Sequence, residues 1–147
     1  MKHGRVLVIK KRDGGGECLV LSGGELEFGE LLMDGLVREM REEVGAGPVE
    51  PWLAFVMEYV GANHERAIQD RNVHVLNLIC SCADIVPAEG ALAGSNPGDD
   101  QIAAVWMGVA EVEAVAFYPK GLLRYLDPDC ADGGLARRSA IHIGDIN

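Results

Sequence analysis

The sequence predicts an α/β fold in which a mixed β-sheet carries helices on both sides. Three observations lead to that expectation. Short runs rich in β-branched and apolar residues flank one long amphipathic segment, residues 30–44. Two shorter helical patterns close the second half of the chain, so strands and helices alternate instead of segregating. With 147 residues and 48% hydrophobic content, the chain is large enough for one domain, residues 1–147, with a substantial core.

Each element has its own justification. Residues 5–10 and 17–21 read as two strands joined by the turn Asp13-Gly14-Gly15-Gly16. Residues 30–44 read as a helix, because Leu32, Met33, Leu36, Val37, Met40 and Val44 recur at helical spacing and form an apolar stripe toward a core. Gly45 is a natural helix stop, reinforced by Gly47-Pro48. Gly35 inside this helix costs about 1 kcal/mol relative to alanine. Residues 52–59 and 73–83 are the next strands. The polar segment 61–72 between them carries His64, Glu65, Arg66, Asp70 and Arg71. Residues 87–100, with Gly90, Gly94, Pro97 and Gly98, read as a mobile loop. A strand at 102–107, short helices at 109–116 and 119–126, a turn-rich tail at 127–134 and a late strand at 140–143 complete the chain.

The long helix carries the chemistry. Glu39, Glu42 and Glu43 fall at i, i+3 and i+4, which at about 100° per residue puts them on one helical face beside Arg38. Like charges so spaced weaken a helix by a few tenths of a kcal/mol, so the face gains from a cation in front of it. Carboxylates are hard oxygen ligands and suit Mg²⁺ or Mn²⁺ better than zinc. A solvated acidic face on an ordinary helix would also carry such acids, and the fixed spacing around them decides against it. That spacing is Gly24, five residues, Glu30, seven residues, then Arg38-Glu39-Met40-Arg41-Glu42-Glu43-Val44-Gly45.

This stretch, 24–46, resembles the Nudix box, the signature of the Nudix hydrolases. Two departures stand out: Ala46 where the family usually has a bulky aliphatic residue, and Ser22 where a proline often precedes the paired glycines. The resemblance implies a Nudix-type α/β/α sandwich with a mixed sheet. It also implies hydrolysis of a nucleoside diphosphate linked to another group, NDP-X, to NMP plus phospho-X. Glu39, Glu42, Glu43 and Arg38 would be the catalytic set. Glu39 and Glu43 would be the main metal ligands, with Glu42 alongside and Glu30 as a weaker auxiliary. Bound Mg²⁺ or Mn²⁺ would neutralise pyrophosphate oxygens and acidify a water whose proton a carboxylate takes. Which glutamate is the base stays open, because crowded carboxylates titrate as a coupled group. Arg38, always charged, would bridge and orient the acids, and Gly23 and Gly24 would let the loop turn or approach closely.

Substrate identity is harder to read. No proline stands where ADP-ribose hydrolases tend to carry one, the NADH-pyrophosphatase signature is absent, and Tyr59 is near, but not at, the diadenosine-polyphosphate position. His64, Arg66 and Arg71 would grip phosphate, and Phe55, Tyr59 or Trp106 would stack on a base; each is equally a solvated loop charge or a core aromatic. Asp99-Asp100-Gln101 ahead of Trp106 and the stretch Phe117-Tyr118-Pro119-Lys120 also resemble relatives. There Asp100 is either an extra metal-linked or base carboxylate or a turn cap. A nucleotide sensor of the same fold, without turnover, is the alternative function.

The net charge of −10 argues against a nucleic-acid polymer as partner, since that needs a basic footprint. A small nucleotide remains compatible, because bound cations invert the local field. The apolar run 6–9 is too short for a signal peptide, and no segment approaches a membrane span. Cys18, Cys80, Cys82 and Cys130 form no zinc pattern and read as reduced thiols of a cytoplasmic protein. Cys80 and Cys82, one residue apart, would point the same way on a strand. Relatives usually have another strand before the segment matching 5–10. Either a late start site explains this, or that sheet edge is covered by the C-terminal tail or by a partner chain such as a second copy.

Overall fold

The structure, a computed structural model, describes residues 4–13, 16–64, 67–126 and 140–145. In chain order, β1 (Arg5–Asp13) and β2 (Gly16–Val20) precede α1 (Leu32–Glu39), which runs into a π-helical turn (Met40–Val44). Next come β3 (Ala46–Val49), β4 (Trp52–Val60), a 3-10 turn (Gly61–Asn63), α2 (Ala67–Asp70) and β5 (His74–Ser81). The remainder is β6 (Asp84–Pro87), β7 (Gln101–Gly108), α3 (Val109–Glu113), β8 (Phe117–Tyr118), a second 3-10 turn (Lys120–Leu122), α4 (Leu123–Leu126) and β9 (Ile141–Asp145). The fold is α/β with mixed sheets, as the alternation of elements predicts. It comprises two compact units, Met1–Pro51 with Cys82–Tyr118, and Trp52–Ser81 with Pro119–Asn147. Among the described residues, no helix is long and apolar enough to cross a membrane.

In the first unit, four strands pair in the order β7-β1-β2-β8, with β1 antiparallel to both neighbours and β8 parallel to β2. β1 is therefore an interior strand, and the open edge expected along 5–10 is absent because β7 occupies it. Val6, Leu7, Val8 and Ile9 are all buried, which is why this strand reads as a continuous apolar run without alternation. Leu7 and Ile9 pack with Met40, Val44 and Ala46, and Leu36, Val20, Ile85, Leu92, Ala104 and Trp106 surround that cluster. The helical stripe of the sequence thus meets the sheet through Leu36, Met40 and Val44.

Three short strands escape sequence reading: β3, β6 and β8. β3 and β6 pair antiparallel from Ala46↔Pro87 to Val49↔Asp84. β3 is four residues long and contains Gly47-Pro48, which reads as a helix stop, and a proline is tolerated in a ladder only where its nitrogen need not donate. The expected helix at 109–116 ends at Glu113, and its start is fixed by the Gly108 amide donating to Glu111 Oε2 at 2.6 Å. The expected helix at 119–126 divides into a 3-10 turn and α4. Cys82 lies past the end of β5, so it does not share a strand with Cys80, and burial pushes its thiol pKa up. Cys82 is a free thiol. Arg66, Glu65, Cys130, the tip of the first turn and the segment 127–134 lie outside the described residues.

The second unit is a three-stranded mixed sheet, β5-β4-β9, with β5 antiparallel and β9 parallel to β4. Phe55 and Met57 are buried on one face, and the Phe55 ring lies 5.5 Å from that of Tyr125. On the other face, Glu58 lies between two imidazoles, 3.1 Å from His74 Nε2 and 2.9 Å from His142 Nε2. The register explains this, since His74 is opposite Val60 and His142 opposite Val56, each two residues from Glu58. These bonds, that of His74 foremost, hold the Glu58 carboxyl below the usual range.

Asp145 fastens the end of β9. It accepts from Asn63 Nδ2 at 2.7 Å and from the Val60 amide at 3.1 Å, and it pairs with His64. The Asn63 bond first and the His64 bond second lower its pKa to about 2. A depressed carboxylate contributes stability that is complete above its unfolded pKa, near ~4, and is lost as pH falls through the folded value. Asp145→Asn is therefore expected to be less stable than the parent at neutral pH, with the gap closing between about pH 4 and about pH 2. Urea melts at stepped pH check this; a gap unchanged at the acid end would contradict it.

Candidate active site

From β2 the chain leaves the sheet and runs along α1 as an irregular loop, and glycines let the two lie in contact. A Cβ on Gly24 would stand 2.5 Å from Glu39 Oε1 and 2.7 Å from Oε2, so the loop backbone rests on that carboxylate. A Cβ on Gly35 would meet Leu26 Cδ2 at 2.4 Å and Glu30 Oε2 at 3.0 Å. That close approach accounts for a glycine inside the helix despite its low propensity.

Arg38 ties loop and helix together. Its Nε donates to Glu30 Oε1 and its Nη2 to Glu30 Oε2, both at 2.9 Å, a bidentate fork. Nη1 donates to Glu39 Oε1 at 2.6 Å and stands 3.5 Å from Glu42 Oε2, while Nη2 also donates to the Glu25 carbonyl at 2.9 Å. The Glu27 amide adds a bond to Glu30 Oε2 at 3.1 Å. The Arg38 bonds, helped by that amide, lower the Glu30 pKa to about 2. In return Glu30, and then Glu39, raise the pKa of the guanidinium further.

Glu43 is held separately. Its Oε2 accepts from Ser22 Oγ at 2.8 Å and from the Gly23 amide at 2.9 Å. Ser22, the departure from the usual proline, thus has a role that its position alone did not reveal. Gly23, expected at the substrate, gives its amide to this glutamate. Glu39 and Glu42 bond Arg38, and Glu43 bonds Ser22 and Gly23 of the same loop whose Gly24 lies on Glu39.

The end of this helix is a π-turn. The expected helix 30–44 is α-helical only over Leu32–Glu39, and Glu30 lies before it. Over Met40–Val44 the turn widens, and the Gly45 amide reaches both the Met40 and Arg41 carbonyls. Single π-turns inside helices are rare and concentrate at functional sites. Periodicity at 3.6 residues per turn cannot anticipate one.

The donor set suits a hard divalent cation. Glu39 Oε2, Glu42 Oε1 and Glu43 Oε1 have no protein partner among the described residues, whereas both oxygens of Glu30 are committed to Arg38. Among the described residues, no three acids, histidines or cysteines are already gathered in ligating geometry. Beside the acids lies an open groove of about 430 Å³, lined by Asp34, Val37, Arg38, Arg41, Glu42 and Ser95. That size accommodates a small ligand.

The remaining residues singled out in the sequence take other places. Asp100 pairs with Lys11 at 3.2 Å, and Trp106 packs against the core cluster of the first unit. Phe55 is 1% exposed and belongs to the core of the second unit. Tyr59, also in that unit, donates to Asp70 Oδ2 at 2.8 Å and stacks on His64 with ring centroids 5.0 Å apart. Arg71 is exposed in the turn after α2.

A family model described as the NUDIX domain matches residues 1–126. No curated protein matches the chain. The solution structure of the E. coli ORF135 protein is similar at 26% identity and a TM-score of 0.53, over 83% of this chain and 79% of that one. The crystal structure of a MutT NUDIX hydrolase from Burkholderia pseudomallei is similar at 22% identity and a TM-score of 0.58, over 75% of this chain and 78% of that one; this likeness concerns the fold alone.

The guanidinium's hold on Glu30 is directly measurable. In Arg38→Gln, the Glu30 carboxyl is expected to titrate near the ordinary value of ~4.3 instead of about 2, as followed by carboxyl-carbon NMR. An unchanged titration would show that Arg38 does not set the charge state of the cluster.

Proposed function

Because the chain belongs to the NUDIX domain family, a family of hydrolases, we propose that it cleaves the pyrophosphate bond of a nucleoside diphosphate linked to another group, releasing NMP and phospho-X. The observation that carries this reading is the arrangement around Arg38. One guanidinium gathers Glu30, Glu39 and Glu42, of which Glu42 lines the groove together with Arg38, and oxygens of Glu39, Glu42 and Glu43 stay without protein partners among the described residues. Glu39 and Glu43 are the main ligands for Mg²⁺ or Mn²⁺, Glu42 stands alongside, and Glu30 is the weakest of the four. When bound, the ion supplies positive charge to the pyrophosphate and acidifies a water.

The chain's own groups do the rest. Arg38 keeps Glu30 ionised and holds Glu30, Glu39 and Glu42 in place. The Ser22 hydroxyl and Gly23 amide orient Glu43 so that its other oxygen stays available. A free carboxylate oxygen of the cluster takes the proton from the attacking water. A small nucleotide substrate agrees with the net charge of −10, which disfavours a nucleic-acid polymer. A free thiol at Cys82 agrees with a reducing, cytoplasmic location.

A panel of nucleoside di- and triphosphates, ADP-ribose, nucleotide sugars and dinucleoside polyphosphates, each with Mg²⁺, Mn²⁺ or chelator, tests the reading. Metal-dependent release from one class is the expected outcome. Glu43→Gln keeps an acceptor for Ser22 and Gly23, so its unfolding midpoint should hold while kcat falls about 100-fold or more. Wild-type turnover in that variant would refute the site assignment. Silence across the panel with nucleotide binding intact would favour the sensor instead.

A further inference from the structure

We propose that Gln101 is a positioning residue for this site, a side-chain clasp that holds the π-turn in the shape presenting Glu42 and Glu43. The inference rests on reading the acids as the hydrolytic centre. Its structural half, the clasp itself, stands independently of that reading.

The carbonyls at the end of a helix lack amide partners in the next turn. Here donors from far along the chain serve them, in the case of Arg41 beside the Gly45 amide that already reaches it. The Ser95 amide donates to the Arg41 carbonyl at 3.3 Å, and the Asn96 amide to the Glu42 carbonyl at 2.9 Å. The Gln101 side chain donates from Nε2 to the Glu43 carbonyl at 2.7 Å. Contact is close enough that a Cβ on Gly94 would lie 2.1 Å from the Glu42 carbonyl oxygen. Of the three donors, Gln101 alone reaches out with a side chain, and it makes the shortest bond.

Gln101 is also anchored. It opens β7, is opposite Lys11 of β1, and its own amide donates to the Gly98 carbonyl at 2.9 Å. The turn is therefore referenced to the four-stranded sheet through one amide group. The other end of that amide, Oε1, is buried without a partner among the described residues. A flipped amide would set Oε1 against the Glu43 carbonyl, two acceptors facing each other, so the orientation is fixed by the turn. An orphaned acceptor destabilises the fold, and its retention points to the value of the bond at the opposite end.

The mechanical consequence follows from helix geometry. Without the clasp the turn relaxes toward α-helical spacing, and every side chain after Met40 comes round by a different angle. Glu43 then leaves Ser22 and Gly23, and its position relative to Glu39 changes. Displaced supporting groups of this kind typically cost about 10–100-fold in activity or metal affinity.

The test uses Gln101→Met, which keeps the shape and removes both the donor and the orphaned acceptor, and Gln101→Lys, which retains a donor. In Gln101→Met, kcat should fall by about ten-fold with little change in KM or in the unfolding midpoint. Hydrogen exchange at the Gly45 amide should quicken, and Gln101→Lys should recover most of both effects. Unchanged exchange in Gln101→Met would overturn the clasp. Quickened exchange with wild-type kcat would overturn the positioning role. If the parent cleaves nothing, the hydrolase reading falls, while Gly45 exchange and Mn²⁺ affinity, measured with the metal alone, still decide whether Gln101 shapes the acids.

Discussion

Crowding acids on one stretch of backbone is unfavourable unless a cation is built in, and in this protein that cation is Arg38. It meets Glu30 with a bidentate fork, Glu39 with a short bond and Glu42 across one helical turn, and it also takes the Glu25 carbonyl. The loop from β2 to α1 is thereby fastened to the helix at two of its residues. Gly24 can then lie on the Glu39 carboxylate, and Leu26 can fill the space that Gly35 leaves. Remove the guanidinium and the loop, the charge state of Glu30 and the direction of Glu39 all lose their common reference. Arginine suits this task better than lysine, because its planar fork addresses several acceptors at once and never gives up its proton.

A second constraint acts from the opposite side. Glu43 is oriented by Ser22 and Gly23, and the backbone beneath it is gripped by Ser95, Asn96 and Gln101. The acids therefore sit between two supports that are distant in sequence. This division has a physical logic. Arg38 offsets repulsion among Glu30, Glu39 and Glu42, while Glu43 is held through Oε2 by two neutral donors, Ser22 and Gly23.

What the sequence revealed follows from how local each feature is. The spacing Gly24–Glu30–Arg38-Glu39–Glu42-Glu43–Gly45 is written within one segment, and the structure brings Glu30, Glu39 and Glu42 to Arg38. The apolar run 6–9 announced β1 but not its interior position, because its neighbour β7 lies almost a hundred residues away. The π-turn was illegible for the same reason: its causes are Gly94, Ser95, Asn96 and Gln101, none within reach of a periodicity window. β3 was hidden by Gly47-Pro48, whose local preference is for a stop and whose strand state is imposed by β6. Ser22 looked like a mere departure from pattern, and only its bond to Glu43 gives it meaning.

The interleaving of the two units bears on how the chain is made. The first unit is begun by Met1–Pro51 and completed only by Cys82–Tyr118, and the second begins at Trp52 and awaits Pro119–Asn147. β4 receives its parallel neighbour when residues 141–145 arrive, Phe55 pairing opposite Ile141. A chain emerging from the ribosome therefore exposes one unsatisfied flank of β4 until residues 141–145 have been released. Such long-range closure is slow compared with local helix formation. Nascent chains stalled before residues 141–145 are the species most exposed to aggregation and to surveillance by chaperones.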